Sequence, residues 1–504
     1  MRHSVLLHVL SLILAARDFN HQCILRYWRL NLFNVLLIYF LNFTQANFAS
    51  ADNGIISAGF ARESITPRVD DPQQPIWIAG FGQKRQATSV HDHLYASAVA
   101  LSNGESTGVI VALDAIGFMY NDVGDIRSAV KKELDLDFVI VASTHSHEAP
   151  DLIGIWGPSP LKSGVNQNYL SFVKEQSIRA IRNAVSRLEP ARLHRMELNR
   201  IGEDVLVDTR MPQVFDSNVR VLRFSKLNSN QDKTLGMLVT WANHPEVLWD
   251  ANTALTSDFV HYVRSGIEDG IIYNNTVLES GLGGQVIYLN GAIGGLMTTP
   301  NSKAVLDSIL NQTLVTPSFE KARTVGYRIS QAVLRGVSSA QETEIRDSTL
   351  DWTSKTLLLP VENPKFRLAA RLKIINRLFE SRFKTRSEVG LLQLGDTWIG
   401  TIPGELYPEI ANGGIEAPAG NDFNLSTAVE VPPLRSAMKG QMNILVGLAN
   451  DQIGYIIPRS QWDVSAPYTY GAKKAPYGEE NSLGAQTAPI LHKALMDIFD
   501  WNSP

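Results

Sequence analysis

From Ile55 onward, short β-branched and apolar runs alternate with longer amphipathic stretches, and no other feature narrows the possible folds so far. The runs at 108–113, 138–142, 235–241, 285–289, 390–394, 398–401 and 443–448 have the composition of buried strands. The stretches at 122–134, 169–188, 319–337 and 482–499 place apolar residues three and four apart among charges, which predicts helices. The alternation implies an α/β (mixed α+β) architecture, with a large central mixed sheet flanked by helices. No repeat, heptad or low-complexity tract divides the chain, so residues 52–504 read as a single domain. The polar stretch at 339–355 reads as an inserted excursion.

Four of these strands run straight into polar residues. Leu113 leads to Asp114, Val141 to His145, Trp241 to His244 and Thr401 to Glu405. In α/β sheets, ligands and chemistry gather at the carboxyl ends of strands. His145 and His147 are two apart after an apolar run, and alternation along a strand would aim both imidazoles at one spot. His244 precedes Pro245, which disfavours helical geometry and holds the histidine extended. Glu405 emerges after Gly404, and burying its carboxylate would need a cation beside it. Two histidines, one carboxylate and one further oxygen, for which Tyr455 is a candidate, would make a zinc site with room for water or substrate. A second pair, His91-Asp92-His93, reads as a surface or supporting feature.

The remaining composition excludes more than it proposes. A net charge of −4, with no Lys/Arg cluster standing out after the first fifty residues, argues against a nucleic-acid surface. With 44% hydrophobic residues the chain has ample core material. Residues 1–51 read as a leader. Apolar runs at 4–16 and 30–43 follow arginines, and Ala49-Ser50-Ala51 has the small-residue pattern of a cleavage site. A signal peptide or N-terminal anchor is expected, with export and, through the leader, association with a membrane surface. Cys23, the only cysteine, lies inside that leader, so no thiolate metal site or cysteine nucleophile is expected.

The ordered landmarks Val90-His91-Asp92 with Leu94-Tyr95, Thr144-His145-Ser146-His147, Asn199-Arg200, Asn243-His244-Pro245, Pro403-Gly404-Glu405-Leu406, and Gly447-Leu448-Ala449-Asn450 with Tyr455 resemble those of the neutral/alkaline non-lysosomal ceramidase family, N-terminal catalytic domain. The resemblance covers about 56–495. It implies a zinc amidohydrolase in which His145, His244, Glu405 and Tyr455 hold Zn2+. It also implies that His147 assists catalysis while Arg200 and Tyr477 bind a developing oxyanion. The substrate it implies is an N-acyl (sphingo)lipid or a related apolar amide; a different ester or amide, or a silent zinc-stabilised binding relative, are the alternatives. The chain departs from the family at 290–301, where a serine is expected. Gly295 stands in the place of an aspartate, and Met297 or, with a shifted register, Thr299 in the place of the serine. Threonine hydroxyls can act as nucleophiles, which leaves Thr299 as a candidate. With Pro504 as the last residue, the C-terminal β-sandwich of long ceramidases is expected to be absent, and ceramide specificity is an open expectation.

Overall fold

Odd and even positions of the strand at Thr107–Leu113 face two different cores. Val109, Val111 and Leu113 join one apolar cluster, Ile110 and Ala112 another. The same split recurs at Phe138–Ser143, where Val139 and Val141 face one side and Ile140 and Ala142 the other. A strand with two apolar faces must be covered on both, and the covering layers define the architecture. The computed structural model describes residues 55–227, 232–295, 297–381 and 383–501. The leader expected over 1–51, with Cys23, lies outside the described residues.

The large sheet is mixed. Its strands are β1 (Ile56–Ser64), β2 (Tyr95–Ser102), β3 (Thr107–Leu113), β4 (Phe138–Ser143), β5 (Glu189–Leu198), β6 (Val219–Lys226), β7 (Thr234–Trp241), β8 (Gln285–Asn290) and β9 (Thr343–Ile345). Their order is β8-β7-β6-β5-β1-β2-β3-β4, with β9 also on β5. Only the outer pairs β7–β8 and β3–β4 are parallel. Helices α1 (Tyr120–Val130) and α2 (Gln167–Ser186) pack over one half of a face, α3 (Phe259–Glu268) and α4 (Phe319–Ser338) over the other.

A second, four-stranded sheet covers the opposite face. It comprises β10 (Leu350–Pro360), β11 (Lys384–Leu394), β12 (Thr397–Thr401) and β13 (Met442–Val446). Leu392, Ile399 and Ile444 pack against Ile110, Ile140 and Leu289 of the first sheet. Between β10 and β11 lies the short helix α5 (Pro364–Arg371). The C-terminal helix α6 (Thr487–Trp501) closes the outer side, its Leu491, Leu495 and Phe499 meeting Leu359, Leu391 and Trp398. The order of layers is therefore helices, sheet, sheet, helix. The 339–355 stretch is not an excursion. It supplies edge strand β9 and the first residues of β10, and so carries the chain from one sheet to the other.

The outer strands β4 and β8 stand at opposite ends of the pairing order, yet their carboxyl ends meet. Asn290, the last residue of β8, donates its side-chain amide to the carbonyls of Thr144 and Asn243, each at 3.0 Å. Residues 447–450 fill the seam. Gly447 N–H donates to Asn290 O at 3.0 Å, Ser143 N–H to Leu448 O at 3.1 Å, and Asn450 pairs with the backbone of Val141 through both its N–H and its side-chain oxygen. Leu448 and Asn450 take positive φ there (54° and 66°), a bend that single residues tolerate when their surroundings fix it.

Candidate active site

At this seam His145, His147 and His244 converge. Their ring centroids are 4.9 Å apart for His145–His147 and His145–His244, and 5.5 Å for His147–His244. All three are buried, and their ligand atoms lie within 4.8 Å of one another. The convergence of His145 and His147 is not strand alternation, because β4 ends at Ser143. His145 instead adopts φ 70°, which turns the chain, and its N–H donates to Ala115 O at 2.9 Å. A positive φ at a residue other than glycine is costly and concentrates at functional sites. His147 is seated by a close approach of Gly80, where a Cβ would lie 2.5 Å from the histidine's own Cβ.

Each ring has a distinct anchor. His145 Nδ1 contacts Ile116 O at 2.6 Å and His244 Nδ1 contacts Met297 O at 2.9 Å. Those carbonyls favour a proton on Nδ1 and leave Nε2 as the free donor pair. Both Nε2 atoms face one oxygen, Glu405 Oε2, at 3.6 and 3.3 Å. Glu405 Oε1 accepts from Gln452 Nε2 at 3.1 Å. Burial opposes the Glu405 charge, but His145 and His244 outweigh it and hold the carboxyl well below its usual range. His147 differs. Its Nδ1 lies 3.1 Å from Glu246 Oε2, out of line for a hydrogen bond, and its buried Nε2 has no hydrogen-bond partner. Burial lowers this imidazole to about 4 against the pull of Glu246, so it is neutral through the physiological range. Glu246 in turn accepts from Thr298 Oγ1 at 2.6 Å.

Tyr455 reaches the same place through a two-residue parallel bridge that pairs Glu405 with Tyr455 and Leu406 with Ile456. Tyr477, half exposed, stands 6.1 Å away, centroid to centroid. Burial and the nearby Glu405 raise both phenols, Tyr477 to about 12, so both are protonated donors at neutral pH. His145, His147, Glu405, Tyr455 and Tyr477 all line one pocket, and His244 reaches it through its contact with Glu405 Oε2. Apolar side chains form most of the remaining wall, among them Ile116, Met119, Ile153, Trp156 and Phe366.

Two residues expected at the site are elsewhere. Arg200 occupies a turn after β5 with φ 58°, and its side chain is 79% exposed and paired with Glu203 at 2.7 Å. It is absent from the pocket wall, because the register of β5 ends the strand on an exposed turn. Thr299 is fully buried, its Oγ1 accepting from Asn243 Nδ2 at 3.2 Å, and it too lies off the wall. Met297 packs its side chain into the core beside α3 and α4 while its carbonyl orients His244. The 290–301 stretch thus supports the site from behind, through the Met297 carbonyl and the side chains of Asn290 and Thr298. His91 and His93 are exposed, His91 stacked on Phe319, while Asp92 braces Thr256 and Ser257. Asp114, just after β3, forms a buried bidentate pair with Arg264, at 2.8 Å for both contacts, and does not line the pocket.

Sequence reading missed Glu246, Gln452 and Arg377. Glu246 follows His244 by two residues, which was a usable signal. Gln452 and Arg377 gave none, since the buried Arg377–Asp451 pair that fixes the Gln452 loop joins residues far apart in the chain.

The residues present fit a metal ion. Two Nε2 atoms with fixed tautomers, a carboxylate held ionised between them and a buried Nε2 without a partner are the donor chemistry of a zinc-type site.

The neutral ceramidase from Pseudomonas aeruginosa superposes with a TM-score of 0.66, over 89% of this chain and 74% of that one, at 14% identity. The fold is ceramidase-like. A second solved structure, a ceramidase complexed with C2, gives a TM-score of 0.66, 15% identity and coverage of 89% and 75%. No family model and no curated protein sequence matches the chain. The neutral ceramidase fold accounts for the large mixed sheet flanked by helices, and the buried three-histidine group could hold a metal ion.

Proposed function

We propose that the chain is a zinc-dependent amidohydrolase of the neutral ceramidase type, cleaving the amide bond of an N-acyl lipid or related apolar amide. The observation that carries this reading is the meeting of His145 Nε2, His244 Nε2 and Glu405 Oε2 at the base of an apolar pocket. In this reading His145, His244, Glu405 and Tyr455 hold the zinc. Bound there, zinc would polarise the scissile carbonyl and acidify an attacking water. His147 Nε2, neutral and buried, accepts that water's proton and returns it to the departing amine. The Tyr477 hydroxyl, protonated and at the pocket wall, donates to the developing oxyanion, the task the resemblance gave it together with Arg200. Ile116, Met119, Ile153 and Phe366 exclude water and take an acyl chain. Export behind the 1–51 leader belongs to the same reading and rests on the sequence pattern alone.

A second reading, a hydrolase of the same fold acting on a different ester or amide, is favoured by the 290–301 stretch, which brings no side-chain hydroxyl to the pocket wall. Two measurements test the proposal. Purified protein should carry about one zinc per chain, lost in His145→Ala and His244→Ala. A panel of fluorogenic N-acyl sphingosine, short-chain amides and esters should show turnover of the N-acyl lipid. Absence of zinc removes the site assignment, and zinc without turnover of any member supports a silent relative.

A further inference from the structure

Helix α5 (Pro364–Arg371) contains no buried residue, although it stands at the mouth of the pocket. Phe366 turns inward to the pocket wall, and Ala369 and Ala370 rest on Ile374 and Ile375. The opposite side carries apolar side chains into solvent. Leu368 is 51% exposed and Leu372, one turn on, 49%. Leu161, 68% exposed, sits on a loop tied to the turn after α5 by Ser163 Oγ donating to Ile374 O at 2.9 Å. Leucines this exposed on one rim mark an interaction surface. Residues 364–374 read PKFRLAARLKI, with four cations and no acid. Lys162 lies beside Leu161, and Lys473 and Lys474 precede Tyr477 of the pocket wall; all three are exposed. Lys365 pairs with the half-exposed Glu480 at 2.9 Å, but the exposed leucines keep an excess of cations around them, with Arg371, Lys373, Lys162, Lys473 and Lys474 all exposed, which suits the headgroup boundary of an anionic bilayer.

We propose that this rim, carried by α5 and the loop at Leu161, docks on anionic phospholipid bilayers and so presents the pocket mouth to lipid without its leaving the membrane. The charge pattern favours a bilayer over a second copy, whose α5 would bring like charges together. This deepens the lipid-hydrolase reading and rests on it for the purpose of docking, but its test does not depend on turnover.

The test is co-sedimentation of the full chain with vesicles of phosphatidylcholine alone or with about 30 mol% phosphatidylglycerol. Wild type should bind the anionic vesicles, and less so as salt rises. Leu368→Asp/Leu372→Asp should weaken that binding by at least about tenfold, and Arg371→Glu/Lys373→Glu similarly, with unchanged melting temperature and zinc content. Wild type that ignores anionic vesicles, or variants that bind as wild type does, as the leader alone would produce, overturns the proposal. So does an oligomer that the leucine variant dissolves, which would assign the face to a second copy. Vesicle binding by a protein that hydrolyses no amide would sink the proposed activity and leave the docking face standing.

Discussion

Glu246 Oε2 lies 3.1 Å from His147 Nδ1, whereas the Nδ1 atoms of His145 and His244 face backbone carbonyls. At Nδ1, one imidazole of the trio thus faces a carboxylate and two face amide oxygens. A carboxylate supports positive charge on its histidine more than a carbonyl does, which suits His147 to proton transfer. Glu246→Gln should therefore retain zinc while kcat falls by about 10- to 100-fold with little change in KM. Metal analysis beside steady-state kinetics checks this; loss of zinc together with activity would give Glu246 a metal-holding role instead.

Thr299→Ala should keep activity within a few-fold. Its hydroxyl is buried against Asn243 and off the pocket wall, so the variant loses one hydrogen bond, about 1 kcal/mol. Urea unfolding and kinetics measure both. A loss of activity of about a thousandfold would restore Thr299 as the nucleophile.

Arg200→Ala should leave the melting temperature, kcat and KM unaltered, since the exposed pair with Glu203 is screened by solvent. A drop in kcat would show that the β5 turn reaches the substrate in solution.

Asp216 gives a pH-dependent prediction. Burial opposes its charge, but Arg435, at 2.6 Å, and Arg220, at 3.2 Å, outweigh burial and hold the carboxyl below its usual range. A depressed folded-state pKa contributes stability that is complete above the unfolded value near 3.9 and disappears as pH falls through the folded one. Asp216→Asn should thus cost roughly 3–5 kcal/mol at pH 7, with the gap to wild type closing below about pH 4. Asp216 also accepts from Ala292 N–H at 3.2 Å, so the variant loosens the stretch whose Met297 carbonyl orients His244. Denaturant melts across pH check the sign; a gap that is constant with pH would mean the carboxylate charge is not the source.

Alternation and periodicity made every predicted strand and helix legible, because burial on a sheet face or a helix stripe is written locally in the order of side chains. His145, His147, His244, Glu405, Tyr455 and Tyr477 were legible as polar residues at the ends of apolar runs or as landmarks of a resemblance, and the structure brings all six together. Arg200 and Thr299 were not, since a motif names a residue without saying which way its turn points. The second sheet also escaped reading: its strands look like any others, and only packing of Leu392 and Ile444 on Ile110 and Leu289 tells which sheet they join.

The sequence by itself determined β3, β4, β7, β8, β11, β12, β13 and helices α1, α2, α4 and α6, with the donor types at their ends, while β1, β2, β5, β6, β10 and α3 were read only from the structure. Tertiary structure decided that β4 and β8, at opposite ends of one pairing order, meet through Asn290, and that a left-handed turn at His145 replaces strand alternation in aiming the rings. Local pattern encodes what a segment buries. Which distant segment it buries against depends on a sum over contacts far apart in the chain.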